Sequence, residues 1–588
     1  MIKLLKNLKG KDWLLLLIAV VFIYGSVWLD LRIPDYMSKI TGLIQTPGSN
    51  IKDILINGGY MFLCALICLI FAVIVGLIIA KVSAGFSMNL REKLFVKVCN
   101  LSSSEINKFS TGSLITRTTN DIGQVEMVIG MGLQLLIRAP FTAVTAVVKI
   151  LNRSIEWSMF TAVGVVILLS IVITLMIIVV PKFKLVQKML DQINGVTREN
   201  LNGIRVVRAF NAEKYQENKF ESINNRLTKQ QIFNQKAFAI MSPMMYLVMH
   251  FLTLAIAISA SFIISGAGLY DKIETFGNMV VFTSYSSMVI MSFLMLAVVF
   301  MIIPRAMISA GRINEVLDCK VSIKEGKSKE VPPERGTVEF KDVSFKYPDA
   351  ENDVISNISF KAEKGQTIAF IGSTGSGKSS LINLIARFYD ATSGEVLVDG
   401  VNVKDYKFED LYNKISYISQ KAVIFSGTIN SNVAFGKGNE IINEQKVKEV
   451  IEVAQAKDFV EKMDKGYDSH VAQAGSNLSG GQKQRLSIAR AIARDPEIYI
   501  FDDAFSALDY KTDATLRKCL KEYTKNATCL IVAQRIGTIM NADEIIVLDQ
   551  GRCVGRGTHE ELLKKCAIYK QIALSQISEE ELHNGRTK

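Results

Sequence analysis

Over the first three hundred residues, long apolar runs alternate with long basic, polar segments; after that, short alternating strands take over. Apolar runs of membrane-spanning length begin near Trp13 and continue to Trp28, then recur at 59–80, 158–180, 244–264 and 278–303. A sixth, at 129–151, is weaker because it carries Arg138, Pro140 and Lys149. All three tryptophans, Trp13, Trp28 and Trp157, fall at predicted span ends, where an interfacial aromatic belt would place them. The intervening segments 83–126 and 181–238 are polar with helical periodicity. Some forty residues folded back on themselves predict two helical arms of roughly 30 Å each.

Composition supports a membrane chain. Of 588 residues, 49% are hydrophobic and the mean hydropathy is +0.25, too apolar for an all-soluble protein of this size. The net charge of +12 raises nucleic acid as a partner, but no groove-reading motif accompanies it. Lys and Arg concentrated in cytosolic loops account for it better. The eight cysteines lack metal-ligand spacing and read as free thiols. Lys3, Lys6, Lys9 and Lys11 among leucines predict an interfacial basic helix over 1–12 rather than a cleaved leader, since no small-residue cleavage site follows the apolar run. The last two spans are rich in methionine (Met244, Met245, Met249, Met288, Met291, Met295), which suits either ordinary packing or an adaptable apolar ligand surface. Arg138 and His250 are polar at membrane depth and are candidates to face a cavity or to pair, and Pro243 is expected to kink the fifth span.

The chemistry lies in the second half. A buried-type strand over 367–371 runs into Gly372-Ser373-Thr374-Gly375-Ser376-Gly377-Lys378-Ser379, the GxxxxGK[ST] phosphate loop in its strand–loop–helix context, followed by Ser380. Its glycines let backbone N–H groups wrap the phosphates of ATP, Lys378 is placed to bridge the β- and γ-phosphates, and the Ser379 hydroxyl to ligate Mg²⁺. Beginning 106 positions after Gly372 comes Leu478-Ser479-Gly480-Gly481-Gln482, a turn opening a basic helix and hence an anion site. The apolar run 498–501 then ends in Asp502 and Asp503, carboxylates at a strand end, where Mg²⁺ is commonly held.

Together these stretches resemble the ATPase of ABC transporters. The texts FSTGSLITRTTNDI (109–122) and RENLNGIRVVRAFNAE (198–213) resemble the coupling regions of exporter-type membrane domains, so the resemblance covers nearly the whole chain. It implies an all-α six-span membrane domain with long cytosolic helical arms, followed by an α/β P-loop ATPase domain with an α-helical subdomain. A basic N-terminus and an ATPase that both need the cytosol make the span count even, which supports counting the sixth. The expected layout is the interfacial helix at 1–12, the transmembrane domain over 13–310, a charged linker over 311–336, the ATPase over 337–576 and a polar tail over 577–588. The resemblance further implies that Tyr347 stacks on adenine, that Gln420 senses Mg²⁺ alongside Ser379 and Asp502, and that Ser506-Ala507-Leu508-Asp509 crosses a dimer interface.

Two catalytic positions depart from the family pattern. Asp503 stands where the family has the Glu that polarises water, and Gln534 where it has His. Losing one methylene withdraws the carboxylate by roughly 1.5 Å, and a misplacement of about 1 Å can cost on the order of 10²-fold in rate. An amide cannot exchange a proton as imidazole does. Beside an intact phosphate loop and LSGGQ, this pair resembles the degenerate-site subunit of a bacterial heterodimeric exporter in the cell membrane. Such a subunit lends its LSGGQ to the partner's ATP and moves lipophilic or drug-like molecules. The alternatives are a homodimeric exporter with impaired catalysis and an ATP-binding regulatory or gating subunit.

Overall fold

The structure is a computed structural model that describes residues 1–46, 48–151, 155–265, 268–327, 335–348, 350–435 and 443–576. The tail expected over 577–588, residues 152–154 of the short loop near 152–157 and part of the linker over 311–336 lie outside the described residues. The chain groups into two units. One is Met1–Cys99 with Thr111–Cys319, and the other is Asn100–Ser110 with the chain from Lys320 onward.

Among its described residues the first unit is entirely helical. Six helical stretches are long and apolar enough to cross a membrane: Gly10–Gln45, Ile51–Cys99, Thr111–Leu151, Trp157–Asn202, Glu213–Ser265 and Asp271–Leu317. The 49 residues of Ile51–Cys99 make a rod of about 74 Å, more than twice the ~30 Å of a bilayer core. The polar arms are therefore continuations of the spans themselves. Pro34 interrupts the first stretch, which divides into Gly10–Asp30 and Ile33–Gln45, because proline removes a helical N–H and clashes with the preceding turn. Glu213–Ser265, by contrast, runs on through Pro243.

Two details differ from the reading of the sequence. The short helix linking the second and third long helices is Ser103–Phe109, and most of 109–122 instead opens the third long helix, including a π-helical turn at Arg117–Asp121. Local capping explains the shift: Glu105 reaches back to the Ser102 backbone N–H at 2.8 Å, and Ser110 ends the helix at φ +57°. The next connecting helix, Ile204–Ala209, lies inside 198–213. Trp157 is no belt residue. It is buried edge-on against Phe282 and donates from Nε1 to Ser259 Oγ at 3.1 Å, whereas Trp13 and Trp28 are exposed. Of the methionines, Met245 is buried and Met244 and Met291 are exposed, so they do not form one uniform surface. Arg138 pairs with Asp30 at 2.8 Å, and His250 is exposed.

The second unit is built on two main sheets. A four-stranded antiparallel sheet contains Val338–Phe345 beside Ile355–Ala362, with Phe340 stacked on Phe360 at 4.6 Å between centroids. A six-stranded sheet runs in the order Arg552–Gly557, Glu544–Asp549, Thr367–Gly372, Thr528–Val532, Ile498–Asp502 and Ile415–Ile418. All but the first of these strands are parallel. Their near-continuous Ile, Val, Leu and Phe residues are buried, as a sheet covered on both faces requires. A separate apolar cluster of Val447, Val450, Ile451, Leu486 and Ile492 packs the helical part between 429 and 492.

Candidate functional site

The parallel order places two strand ends one strand apart. Thr367–Gly372 and Ile498–Asp502 flank Thr528–Val532, with Ile531 paired to both Ala369 and Phe501. The phosphate loop and the two acids thus emerge at the same, C-terminal edge, where α/β sheets bind ligands.

In the loop, Gly375 and Gly377 take φ of +85° and +95°, and a Cβ on Gly377 would lie 2.8 Å from the Val354 carbonyl. Both constraints require glycine. Gly377 precedes the helix Lys378–Ile385. Ser373, Thr374, Gly375 and Ser379 are exposed, while Ser376, Lys378 and Ser380 are buried. Lys378 Nζ donates to the carbonyls of Gly372 at 2.9 Å and Ser373 at 2.7 Å. Burial lowers its pKa, and the charges of Asp503 and Asp502 oppose that shift.

The two acids keep different company. Asp502 Oδ1 accepts from Ser379 Oγ at 2.8 Å and Oδ2 from the Tyr417 hydroxyl at 3.0 Å. These are hard oxygen donors set side by side, the set Mg²⁺ prefers. Asp503, at φ +47°, offers Oδ2 to two amides, Gln534 Nε2 at 3.0 Å and Gln420 Nε2 at 3.3 Å. Burial pushes its carboxyl above the ordinary range. Gln420 therefore meets Asp503 rather than Asp502 and Ser379, the residues it was expected to join around a cation.

Tyr347 packs edge-on to Tyr389 and Phe345, with its hydroxyl 2.9 Å from Ser380 Oγ. Leu478 is buried, but Ser479 and Gly480 are exposed. Ser479 and Gln482 form a reciprocal capping box, at 3.3 and 2.8 Å, that opens the helix Gly480–Ile492. Among the described residues the stretch shares no hydrogen bond with the phosphate loop. It abuts the following loop instead: a Cβ on Gly481 would lie 3.4 Å from the Ala507 carbonyl. That loop is tied inward by Ser506 Oγ on the Asp503 carbonyl at 2.9 Å, and Asp509 caps the next helix through Thr512. Arg535 Nη2 donates to the Ser506 carbonyl at 3.2 Å.

Two contributors escaped the sequence reading. Tyr417 sits three residues before Gln420 in the short strand Ile415–Ile418, between Ser416 and Ile418, and nothing in that local pattern marks its hydroxyl. Gln576, two residues past the end of the last described helix, Ala567–Leu574, donates to the Gln534 carbonyl at 2.8 Å and accepts from the Ile536 N–H at 2.9 Å. No local pattern announces a contact 42 positions away.

Comparison with known proteins agrees with this geometry. Residues 15–293 match the family model described as the ABC transporter transmembrane region, and 355–506 match the ABC transporter model. An uncharacterized ABC transporter ATP-binding protein of Mycobacterium tuberculosis is 37% identical over 87% of this chain and 86% of its own length. One from Bacillus subtilis is 34% identical over 96% of both. An ATP-dependent lipid A-core flippase of Yersinia pestis is 31% identical over 85% of both. Among solved structures, a bacterial Atm1-family ABC exporter with ATP bound superposes with a TM-score of 0.81 at 22% identity. That match covers 96% of this chain and 99% of the other.

Proposed function

The chain belongs to the ABC transporter family, with membrane and ATPase domains fused in an exporter-type fold, and from that premise we propose that it is one half of a heterodimeric exporter of lipophilic molecules. It is a multi-pass plasma-membrane protein with a cytoplasmic ATPase domain. In this reading its own ATP site binds nucleotide firmly and turns it over slowly, and its Leu478–Gln482 stretch completes a faster site on the partner.

Each residue's proposed role follows from its surroundings. Lys378 and the loop N–H groups of 375–379 hold the phosphates, and Tyr347 offers a ring to the adenine. Ser379, Asp502 and Gln420 would hold Mg²⁺: the adjoining Ser379 and Asp502 oxygens suit a hard cation, and Gln420, whose Nε2 here donates to Asp503, would add its amide oxygen. When bound, Mg²⁺ neutralises charge on the phosphates. Asp503 and Gln534 orient and polarise water poorly. Ser506, Ala507, Leu508 and Asp509 face the other half. The flippase among the relatives handles a lipid, which is consistent with a lipophilic cargo for this chain.

The observation that carries the proposal is the convergence of two amides on one oxygen of a shortened acid, beside an undisturbed Asp502–Ser379 pair. Neither amide can take the proton that an attacking water must lose. The test is chain-specific photolabelling with an azido-ATP, followed by measuring how much label becomes ADP on this chain. Asp503→Glu with Gln534→His is expected to raise that conversion on the order of 10²-fold. A purified chain that forms a homodimer with ordinary exporter turnover would overturn the reading.

A further inference from the structure

Away from the ATPase, the first unit contains a compact polar cluster among otherwise apolar helices. Asp35 is its hub. Lys149 Nζ donates to Asp35 Oδ2 at 2.8 Å, and the Tyr285 hydroxyl lies 2.8 Å from both Asp35 Oδ1 and the Leu31 carbonyl. Five residues before Asp35, Asp30 pairs with Arg138 at 2.8 Å, and Arg138 lies about three helical turns before Lys149 in the third long helix. The cluster joins three long helices: the first through Asp30, Leu31 and Asp35, the third through Arg138 and Lys149, and the sixth through Tyr285. Tyr285 is fully buried. The Asp35 side chain is 17% exposed, so its pair is shielded more than a surface pair would be.

The break at Pro34 builds this hub. By dividing the first helix between Asp30 and Ile33, it presents the Leu31 carbonyl and turns Asp35 toward the same neighbours. The cluster's side of the membrane follows from chain direction. With the ATPase in the cytoplasm and six spans, the first and third helices end, and the sixth begins, on the far side. Lys149 lies two residues before the end of Leu133–Leu151, Asp35 lies in the stretch Ile33–Gln45 that closes the first helix, and Tyr285 lies about a third of the way into Leu269–Leu317.

We propose that Asp35, Lys149 and Tyr285, with the Asp30–Arg138 pair, are positioning residues that latch the non-cytoplasmic ends of these three helices and must part for cargo to leave on that side. The proposal rests on the export reading. Ion pairs suit a latch better than apolar packing here. In a low-dielectric setting they hold one geometry, and once separated each charge can be hydrated at the membrane surface, so the cluster has two defined states.

Hydrogen–deuterium exchange on the full-length transporter, assembled with whatever partner it takes and held in nanodiscs, tests this. In the wild type, peptides covering 27–45 and 140–151 are expected to be protected without nucleotide and to exchange faster once ATP is trapped with vanadate. Asp35→Asn should raise exchange there by roughly tenfold without nucleotide, the size expected when one partner of a half-buried pair is neutralised. Asp35→Lys with Lys149→Asp should restore protection. If Asp35→Asn loses protection in every helix, Tyr285→Phe, which keeps the buried ring, gives the same reading locally. Unchanged exchange at the cluster, while other non-cytoplasmic segments respond to ATP, overturns the latch. No response to ATP in any such segment overturns the export reading instead.

Discussion

Asp502 and Asp503 are neighbours in sequence yet belong to two differently treated halves of one site. Around Asp502, a hydroxyl from the phosphate-loop helix and the Tyr417 hydroxyl set a carboxylate ready for a cation. Around Asp503, two amides occupy a single oxygen and the backbone takes a left-handed turn. In the proposed reading, nucleotide binding and nucleotide cleavage rest on separable groups, and a chain can keep the first while giving up much of the second. Binding needs charges and donors that are insensitive to an ångström of displacement, whereas water attack does not tolerate it.

The comparison breaks most visibly if the binding half is not working. Lys378→Met removes an ammonium held by two carbonyls at the loop. It is expected to weaken nucleotide binding on this chain by about 30-fold, the scale of a hydrogen bond to a charged group, read by equilibrium photolabelling. A smaller loss should follow Tyr417→Phe. Deleting that hydroxyl leaves Asp502 Oδ2 without its 3.0 Å donor and is expected to cost about 1 kcal/mol, seen as a several-fold rise in the Mg²⁺ concentration that supports binding. The smallest effect sharpens the catalytic half. Burial raises the Asp503 pKa, so the folded state binds that proton more tightly than the unfolded state. The carboxyl's contribution to stability is therefore fully present at low pH and is lost as pH rises through the raised value. Asp503→Asn keeps an acceptor for the two amides and removes the buried charge. It should raise the apparent Tm of the nucleotide-free protein near neutral pH by an amount worth less than about 1 kcal/mol, and the gain should shrink on acidification.

What the chain disclosed before folding followed how local the physics is. The phosphate loop could be read because wrapping a phosphate demands glycines at set spacing, and the structure places Gly375 and Gly377 where only glycine fits. The six spans were legible because a bilayer demands length and apolarity. Pairings between distant positions were not. Arg138 and Lys149 made the third span look weak, and only the fold supplies Asp30 and Asp35, more than a hundred positions away, as their partners. Trp157 misled for the same reason, since a residue near a helix end can still turn inward. Gln576 and Tyr417 gave no signal, because a lone amide or phenol acquires its role from what the topology brings to it.

The rods of the first unit also have the geometry of displacement amplifiers. Glu213–Ser265 runs 53 residues without interruption, about 80 Å. A pivot of about 10° near its midpoint carries each end through roughly 7 Å in opposite directions, while side chains at the fulcrum shift by a small fraction of that. Mechanical advantage then depends on where the fulcrum lies. A change in packing too slight to register at mid-helix would be read out in full at the tips, which makes probes placed there the most sensitive gauges of this chain's working stroke.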